Sequence, residues 1–378
     1  MNAQKAAHYK YKKKLQANDS SWEDELKQRN EARREYRQQL KNHLKRNKEE
    51  RKIEQEIAGA NDAWDMVRRL KAATRHRENP QPTLNNTEKQ QFNEYWTKLY
   101  EDDDEIGPND KAECEPPTKK SIKRVVDHLP MRKAPGPDGM TAELLKYGGQ
   151  VAWEMTVRLV QLIWQHQNMP KQMCQANIFL IPKDRQDVKN PKQQRPISLT
   201  NVWTKVIDKL VYEKLLAHTE QNEILSPNQA GFRKYHSCTT QAFVMEQLIQ
   251  MQKLNNRKVH ACFIDLSKAF DSIKRNQLFH ILRENAYPAD AIAILQEMYE
   301  KETSKLILNG MPDREWQVKR GVRQGAVSSP LLFNLIPEQL TRRLKRHGTG
   351  LKLQGLERIN CLLYADDLVL LADTRHNL

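Results

Sequence analysis

The chain has 378 residues, 38% of them hydrophobic and 29% charged, which is room for two or three domains of about 100–200 residues each and for long solvated segments besides. Sixty-three Lys and Arg stand against 48 Asp and Glu, and the excess of +15 favours a polyanionic partner, nucleic acid first, over an acidic one. Five cysteines with no CxxC spacing and no Cys/His cluster argue against a disulfide framework or a zinc site. Nor is there an apolar run of the roughly 18 residues a membrane span needs, or a signal peptide's apolar region in the opening MNAQKAAHYKYKKK.

Residues 1–60 carry 16 Lys/Arg and 10 Asp/Glu and contain no Pro, which predicts helix. Tyr36, Leu40 and Leu44 recur every fourth position, in a stripe too narrow for a core helix. A solvated charged helix is expected there, with a nucleic-acid contact surface as the second reading. From about 76 to 118, Asn79, Pro80, Pro82, Asn85, Asn86, the acidic run 101–105, Gly107, Pro108, Pro116 and Pro117 read as linker. This predicts a basic helical extension with linker over 1–118 and a second domain over 119–378. The acidic run lacks the glycine and the ligand spacing of a calcium loop.

Beyond 118, Met155, Leu159, Leu162 and Ile163 predict one amphipathic helix, and Val202, Val206, Ile207, Leu210 and Val211 another, each with its apolar face in the core. Residues 177–181, ending at Pro182, and 260–265 predict strands. The segment 359–371, INCLLYADDLVLL, predicts a hairpin of two apolar arms around a polar centre. Helices and strands interleave without strict alternation, so an α+β fold with an antiparallel sheet is expected rather than a doubly wound parallel one.

Two acidic sites sit at the ends of apolar strands, Asp265 in FIDLSKAFD and Asp366 with Asp367 in LLYADDLVLL. Carboxylates held on neighbouring strands supply the hard oxygen ligands that Mg²⁺ takes when it must also bind substrate phosphates, and two such ions suit an in-line phosphoryl displacement. Taken alone, Asp-Asp is also common turn chemistry, and an Asp after a strand also caps helices. A third segment, GVRQGAVSSPLLFNL over 321–335, opens with two glycines that permit close backbone approach. It then offers Ser329 as a helix N-cap with Pro330 at the first helical position. Asp138 and Gly139 in APGPDG read as a tight turn, and Asp271 as a cap or a structural pair.

FIDLSKAFDSI, GVRQGAVSSPLLFNL and LLYADDLVLLAD, in that order, resemble the three palm motifs of reverse transcriptases. KAPGPDGMTAELLK at 133–146, IPK followed by RPISLTN over 181–201, and NQAGFRKYHSCTTQ at 228–241 resemble finger motifs of the non-LTR, LINE-type retrotransposon enzymes. The resemblance implies a right-hand polymerase fold, fingers and an antiparallel palm sheet with helices. It implies Asp265 and Asp366 as principal ligands of two Mg²⁺ ions (Mn²⁺ a substitute), Asp367 as the neighbouring carboxylate and the Leu266 carbonyl as a further ligand. Phe270 falls where the family excludes a ribose 2′-hydroxyl, Lys183 and Arg195 where it grips the triphosphate, and Gln324 and Gly325 beside the incoming nucleotide and template.

The partners so implied are an RNA template, a DNA or RNA primer and dNTP, with no membrane. The location implied is intracellular, with the KYKKK cluster at 10–14 as a weak nuclear-import candidate. Ala326 and Ser328 depart from the family's usual loop. The chain ends 11 residues after Asp367, ahead of the primer grip and thumb that the resemblance implies, so a truncated and inactive enzyme is one expectation. A non-catalytic nucleic-acid-binding remnant is the alternative. Phe232 and Arg233 in AGFR are expected either to support the fingers or to touch template.

Overall fold

The computed structural model describes residues 83–378 apart from 110, 112–113, 184–188 and 353–357, and these belong to one compact unit, Thr74–Leu378. The predicted charged helix over 1–60, with its Tyr36, Leu40 and Leu44 stripe, lies outside the described residues.

The stretch expected to be linker contains a helix, α1 (Asn86–Tyr100). Asn85, which reads as a breaker, is its N-cap: the Asn85 side chain accepts from the Glu88 N–H and the Glu88 carboxylate accepts from the Asn85 N–H, each at 2.8 Å. That reciprocal pair satisfies two orphan donors of the first turn. Phe92, Trp96 and Tyr100 recur on one face and are buried with Ile178, Leu180, Leu306, Leu308 and Trp316. α1 therefore shares a core with residues beyond the boundary expected at 118.

That core covers a four-stranded sheet built from β1 (Gln175–Pro182), β2 (Gln194–Thr200), β4 (Thr303–Leu308) and β5 (Met311–Gln317), in the order β2-β1-β4-β5. β1 pairs antiparallel to β2 and parallel to β4, and β4 pairs antiparallel to β5. A second, fully antiparallel sheet holds β3 (His260–Ile264), β7 (Asp367–Ala372) and β6 (Cys361–Tyr364), in the order β3-β7-β6. The antiparallel sheet and hairpin predicted from 260–265 and 359–371 are these strands.

The largest core joins α2 (Lys119–Asp127), α4 (Gly149–His166), α5 (Val202–Gln221), α7 (Arg275–Glu284), α8 (Ala289–Glu300) and α9 (Ser329–His347). α3 (Ala142–Tyr147) and α6 (Cys238–Leu254) complete the helices of the described residues. The face predicted for α5 is buried throughout. On α4 the prediction holds in part: Ile163 is buried and Leu159 packs against the core, but Met155 is 66% exposed and the buried face also runs through Thr156, Val157, Val160 and Trp164.

In the short sheet β6 and β7 are covered on both sides, whereas β3 is largely exposed. Leu362, Val369 and Leu371 alternate toward Leu248 of α6, while Cys361, Leu363 and Leu368 pack with Leu344 of α9. Period-two alternation thus serves two helix layers at once, so the arms read as near-continuous apolar runs.

Candidate active site

The β3–β7 ladder runs from His260↔Ala372 to Ile264↔Leu368. Continued by one residue, that register sets Asp265 opposite Asp367, with strand spacing of about 5 Å. β6 and β7 close through the pair Tyr364↔Asp367 around the two-residue corner Ala365-Asp366, and Ala365 takes φ +57°. An alanine in the left-handed region is strained and needs its surroundings to hold it. Gln229, 2% exposed, supplies the hold: its side-chain oxygen accepts from the Ala365 N–H at 3.0 Å and the Gly231 N–H at 2.7 Å, and its amide donates to the Ala365 carbonyl at 3.3 Å. Gly231 is required there, since a Cβ would lie 2.1 Å from the Ala365 nitrogen.

Asp265 and Asp367 are exposed and Asp366 is half-buried. Among the described residues no hydrogen-bond donor or cation is paired with any of the three carboxylates, and no three His, Cys, Asp or Glu side chains are gathered into a metal-holding set. The donors are of the right chemistry for a hard divalent cation: unpaired carboxylates with open positions, side by side on one sheet edge. The strand register leads their backbones toward one end of the sheet, and among the described residues their side chains are not gathered into a metal-holding set.

Behind this edge, residues 270–275 and 321–325 are stitched together. The Gly321 N–H donates to the Ile273 carbonyl at 2.8 Å and the Val322 N–H to the Phe270 carbonyl at 2.9 Å. Asp271 accepts from the Tyr100 hydroxyl at 3.1 Å and from the Gln324 amide at 3.0 and 2.9 Å. Burial pushes the Asp271 carboxyl up to about 6 against the pull of these donors and of the Lys268 and Lys183 charges. Lys268, at φ +50°, lays its ammonium 4.3 Å from the Trp96 ring centroid and 4.6 Å from that of Tyr95, and burial pushes it down to about 8.

Gln324 also reaches the other sheet. Its carbonyl accepts from the Ser198 N–H of β2 at 2.9 Å, and Gly325, at φ +110°, lies over the Ser198 carbonyl. On the β1–β2 pair, Ile181 faces Arg195, and the Lys183 N–H donates to the Gln193 carbonyl at 2.8 Å. Both basic side chains are exposed. The hairpin that carries Lys183 and Arg195 is thus tied through Gln324 to the segment that follows Asp265. Leu266 is exposed directly after Asp265.

Phe270 stacks on Phe333 of α9, with centroids 4.9 Å apart, and meets Phe232 edge to face at 5.9 Å. Phe232 is 54% exposed at φ +60°. Arg233 is turned inward, donating to the Ser226 carbonyl at 2.7 Å and the Gln229 carbonyl at 3.1 Å, so it supports the loop. Asp138 and Gly139 form the expected turn, with the Gly139 N–H on the Gly136 carbonyl at 3.0 Å.

The cap expected from Ser329 is absent. α9 begins at Ser329 with Ser328 as its N-cap residue and no side-chain cap; the loop that enters it is held by Asp208 of α5, which accepts from the Val327 N–H at 2.7 Å, the Ser328 N–H at 3.2 Å and the Ser328 hydroxyl. Gln229, Tyr100, Lys268 and Asp208 carry no chemical signature in sequence. Lys268 falls in the quoted motif FIDLSKAFDSI and Gln229 in NQAGFRKYHSCTTQ, but neither is singled out there, and the spacing of Gln229 to Gly231 was the available signal.

An antiparallel sheet with acids at one edge, a glycine loop feeding a buried helix and a basic hairpin is the fingers-and-palm arrangement of a polymerase. The sequence pattern of the family Reverse transcriptase (RNA-dependent DNA polymerase) matches residues 181–378, and the chain belongs to that family. The chain is 31% identical over 248 residues to the retrovirus-related Pol polyprotein from the type-2 retrotransposable element R2DM of Drosophila melanogaster. It is 30% identical over 251 residues to that from the type-1 element R2 of Nasonia vitripennis, and 21% identical over 258 residues to the RNA-directed DNA polymerase from the mobile element jockey of Drosophila melanogaster. These matches take in 66%, 65% and 68% of this chain but 22%, 23% and 28% of the relatives, so the chain spans about a quarter of their length. They support the non-LTR assignment that the finger motifs imply.

Proposed function

We infer that this chain provides the nucleotidyl-transfer site of a non-LTR retrotransposon's RNA-directed DNA polymerase, adding dNMP from dNTP to a primer 3′-hydroxyl on an RNA template. The observation that supports the reading is the β3–β7 register, which ends at Ile264↔Leu368 and, continued by one residue, would carry Asp265 opposite Asp367 and next to Asp366 although they lie a hundred positions apart. Divalent ions of the Mg²⁺ type, held by Asp265 and Asp366 with Asp367 and the Leu266 carbonyl adjacent, would supply charge neutralisation at the transferring phosphate.

The chain's own groups do the rest. Arg195 offers a planar multi-donor fork and Lys183 a point charge to the triphosphate, from a hairpin that leaves both exposed. Phe270, clamped against Phe333, presents a rigid ring edge that a 2′-hydroxyl would meet. Gln324 and Gly325, which the resemblance puts beside the incoming nucleotide and template, would bring backbone toward them, and Gln229 holds the corner that carries Asp366.

Incorporation of dTTP on poly(rA)/oligo(dT) by the full chain with Mg²⁺ or Mn²⁺ tests this. Asp366→Ala is expected to lower the rate at least a hundredfold. Equal incorporation by both proteins would remove the assignment, and primer-template binding without incorporation would leave a nucleic-acid-binding remnant.

A further inference from the structure

One buried carboxylate joins the upstream helix α1 to the loop that feeds α9. Asp271 is 2% exposed: its Oδ1 accepts from the Tyr100 hydroxyl and the Gln324 amide nitrogen, and its Oδ2 accepts from the same nitrogen. Bringing a carboxylate into such a place is unfavourable unless donors meet it, and here every donor comes from a different part of the chain. The approach is close enough to require glycine, since a Cβ on Gly321, at φ +82°, would lie 2.9 Å from the Asp271 backbone. The Arg275 Nε donates to the Gly321 carbonyl at 3.0 Å, fixing the start of the same loop.

Gln324 is thereby held at both ends, its amide by Asp271 and its carbonyl by Ser198 on β2. A slack loop would allow β2, and with it Arg195, to drift against the segment bearing Asp265 and Phe270. A sub-ångström to 1 Å misplacement of binding groups is costly to catalysis even when the chemical groups are intact.

We propose that Asp271 is a positioning residue for the incoming nucleotide, locking Gln324 against β2, and that Tyr100 of α1 is the outer anchor of that lock. The inference rests on the polymerase reading above and deepens it. α1 precedes the 181–378 segment that matches the family, so nucleotide binding depends on a helix outside that segment.

The test uses the full chain with Asp271→Ala, Asp271→Asn, Tyr100→Phe and Gln324→Ala. Hydrogen exchange of the 321–328 peptide is read by mass spectrometry, and KM and kcat for dTTP are read on poly(rA)/oligo(dT). Asp271→Ala and Tyr100→Phe should speed exchange of that peptide. Asp271→Ala should raise KM about tenfold with kcat changed less than threefold, Tyr100→Phe should raise it two- to threefold, and Asp271→Ala combined with Gln324→Ala should be no worse than either alone.

The Asn and Phe variants keep the local shape if the alanine fails to fold. Wild-type exchange and KM in those two, or additive effects in the double variant, would overturn the proposal. Asp366→Ala separates the two readings: it should abolish incorporation and leave 321–328 exchange unchanged. A wild-type chain that incorporates nothing defeats the polymerase reading, and with it the nucleotide role of Asp271.

Discussion

Asp271 titrates from about 6 in the folded chain against 3.8 for an ordinary aspartate, because burial disfavours its charge more than Tyr100, Gln324, Lys268 and Lys183 favour it. The folded state therefore binds this proton more tightly than the unfolded chain does. The stabilisation is complete below about pH 4 and lost as pH rises through 6, a swing of roughly 3 kcal/mol. Thermal melts of wild type and Asp271→Asn from pH 7.5 to 5 should show the wild type gaining on the variant as pH falls. A constant difference would mean that Asp271 is not raised. At this scale the sequence reading of Asp271 as a structural pair was sound, but its partner Tyr100 lies 171 residues away and nothing local announces it.

At the scale of elements, the turn entering α9 is fixed where Val327 and Ser328 meet Asp208, a fully buried carboxylate that burial raises and the Ser328 and Val327 hydrogen bonds hold down. A negative charge there also faces the positive end of the helix dipole. Asp208→Ala leaves the buried Ser328 N–H and the half-buried Val327 N–H unmet and should lower stability by about 2–4 kcal/mol, read as a shift of the urea midpoint. A shift under about 0.5 kcal/mol would assign the hold on that turn elsewhere. Ser-Pro at 329–330 was a fair start signal, and it marked the helix correctly. No side chain caps it, and the acid that holds the turn before it comes from another helix, which sequence spacing cannot show. The linker reading of 76–118 failed at α1 for a related reason: Asn85 and Asn86 serve as breaker or cap depending on whether Phe92, Trp96 and Tyr100 find a sheet to bury against.

For the whole molecule, the +15 charge and the exposed Lys183 and Arg195 predict binding dominated by phosphate contacts. Affinity for an RNA–DNA hybrid should then fall at least tenfold between about 50 and 200 mM salt, with log K linear in log salt, as counterion release requires. Filter binding over that range measures it, and a flat response would leave the charge excess without a nucleic-acid role. Lys183→Ala with Arg195→Ala should flatten the slope.

The apolar arms around Ala365-Asp366 and the interleaved helices and strands led to the α+β fold from sequence, because burial pattern and turn chemistry are local properties of the chain, and the ordered motifs led to the polymerase class by their resemblance to reverse transcriptases. What needed the tertiary structure were the partners that give those residues their geometry: β7 beside β3, Gln229 under the corner, Asp208 at α9, and Tyr100 on Asp271. Those contacts join positions tens to hundreds of residues apart, and side-chain type alone does not encode which distant group will arrive once the hydrophobic layers close.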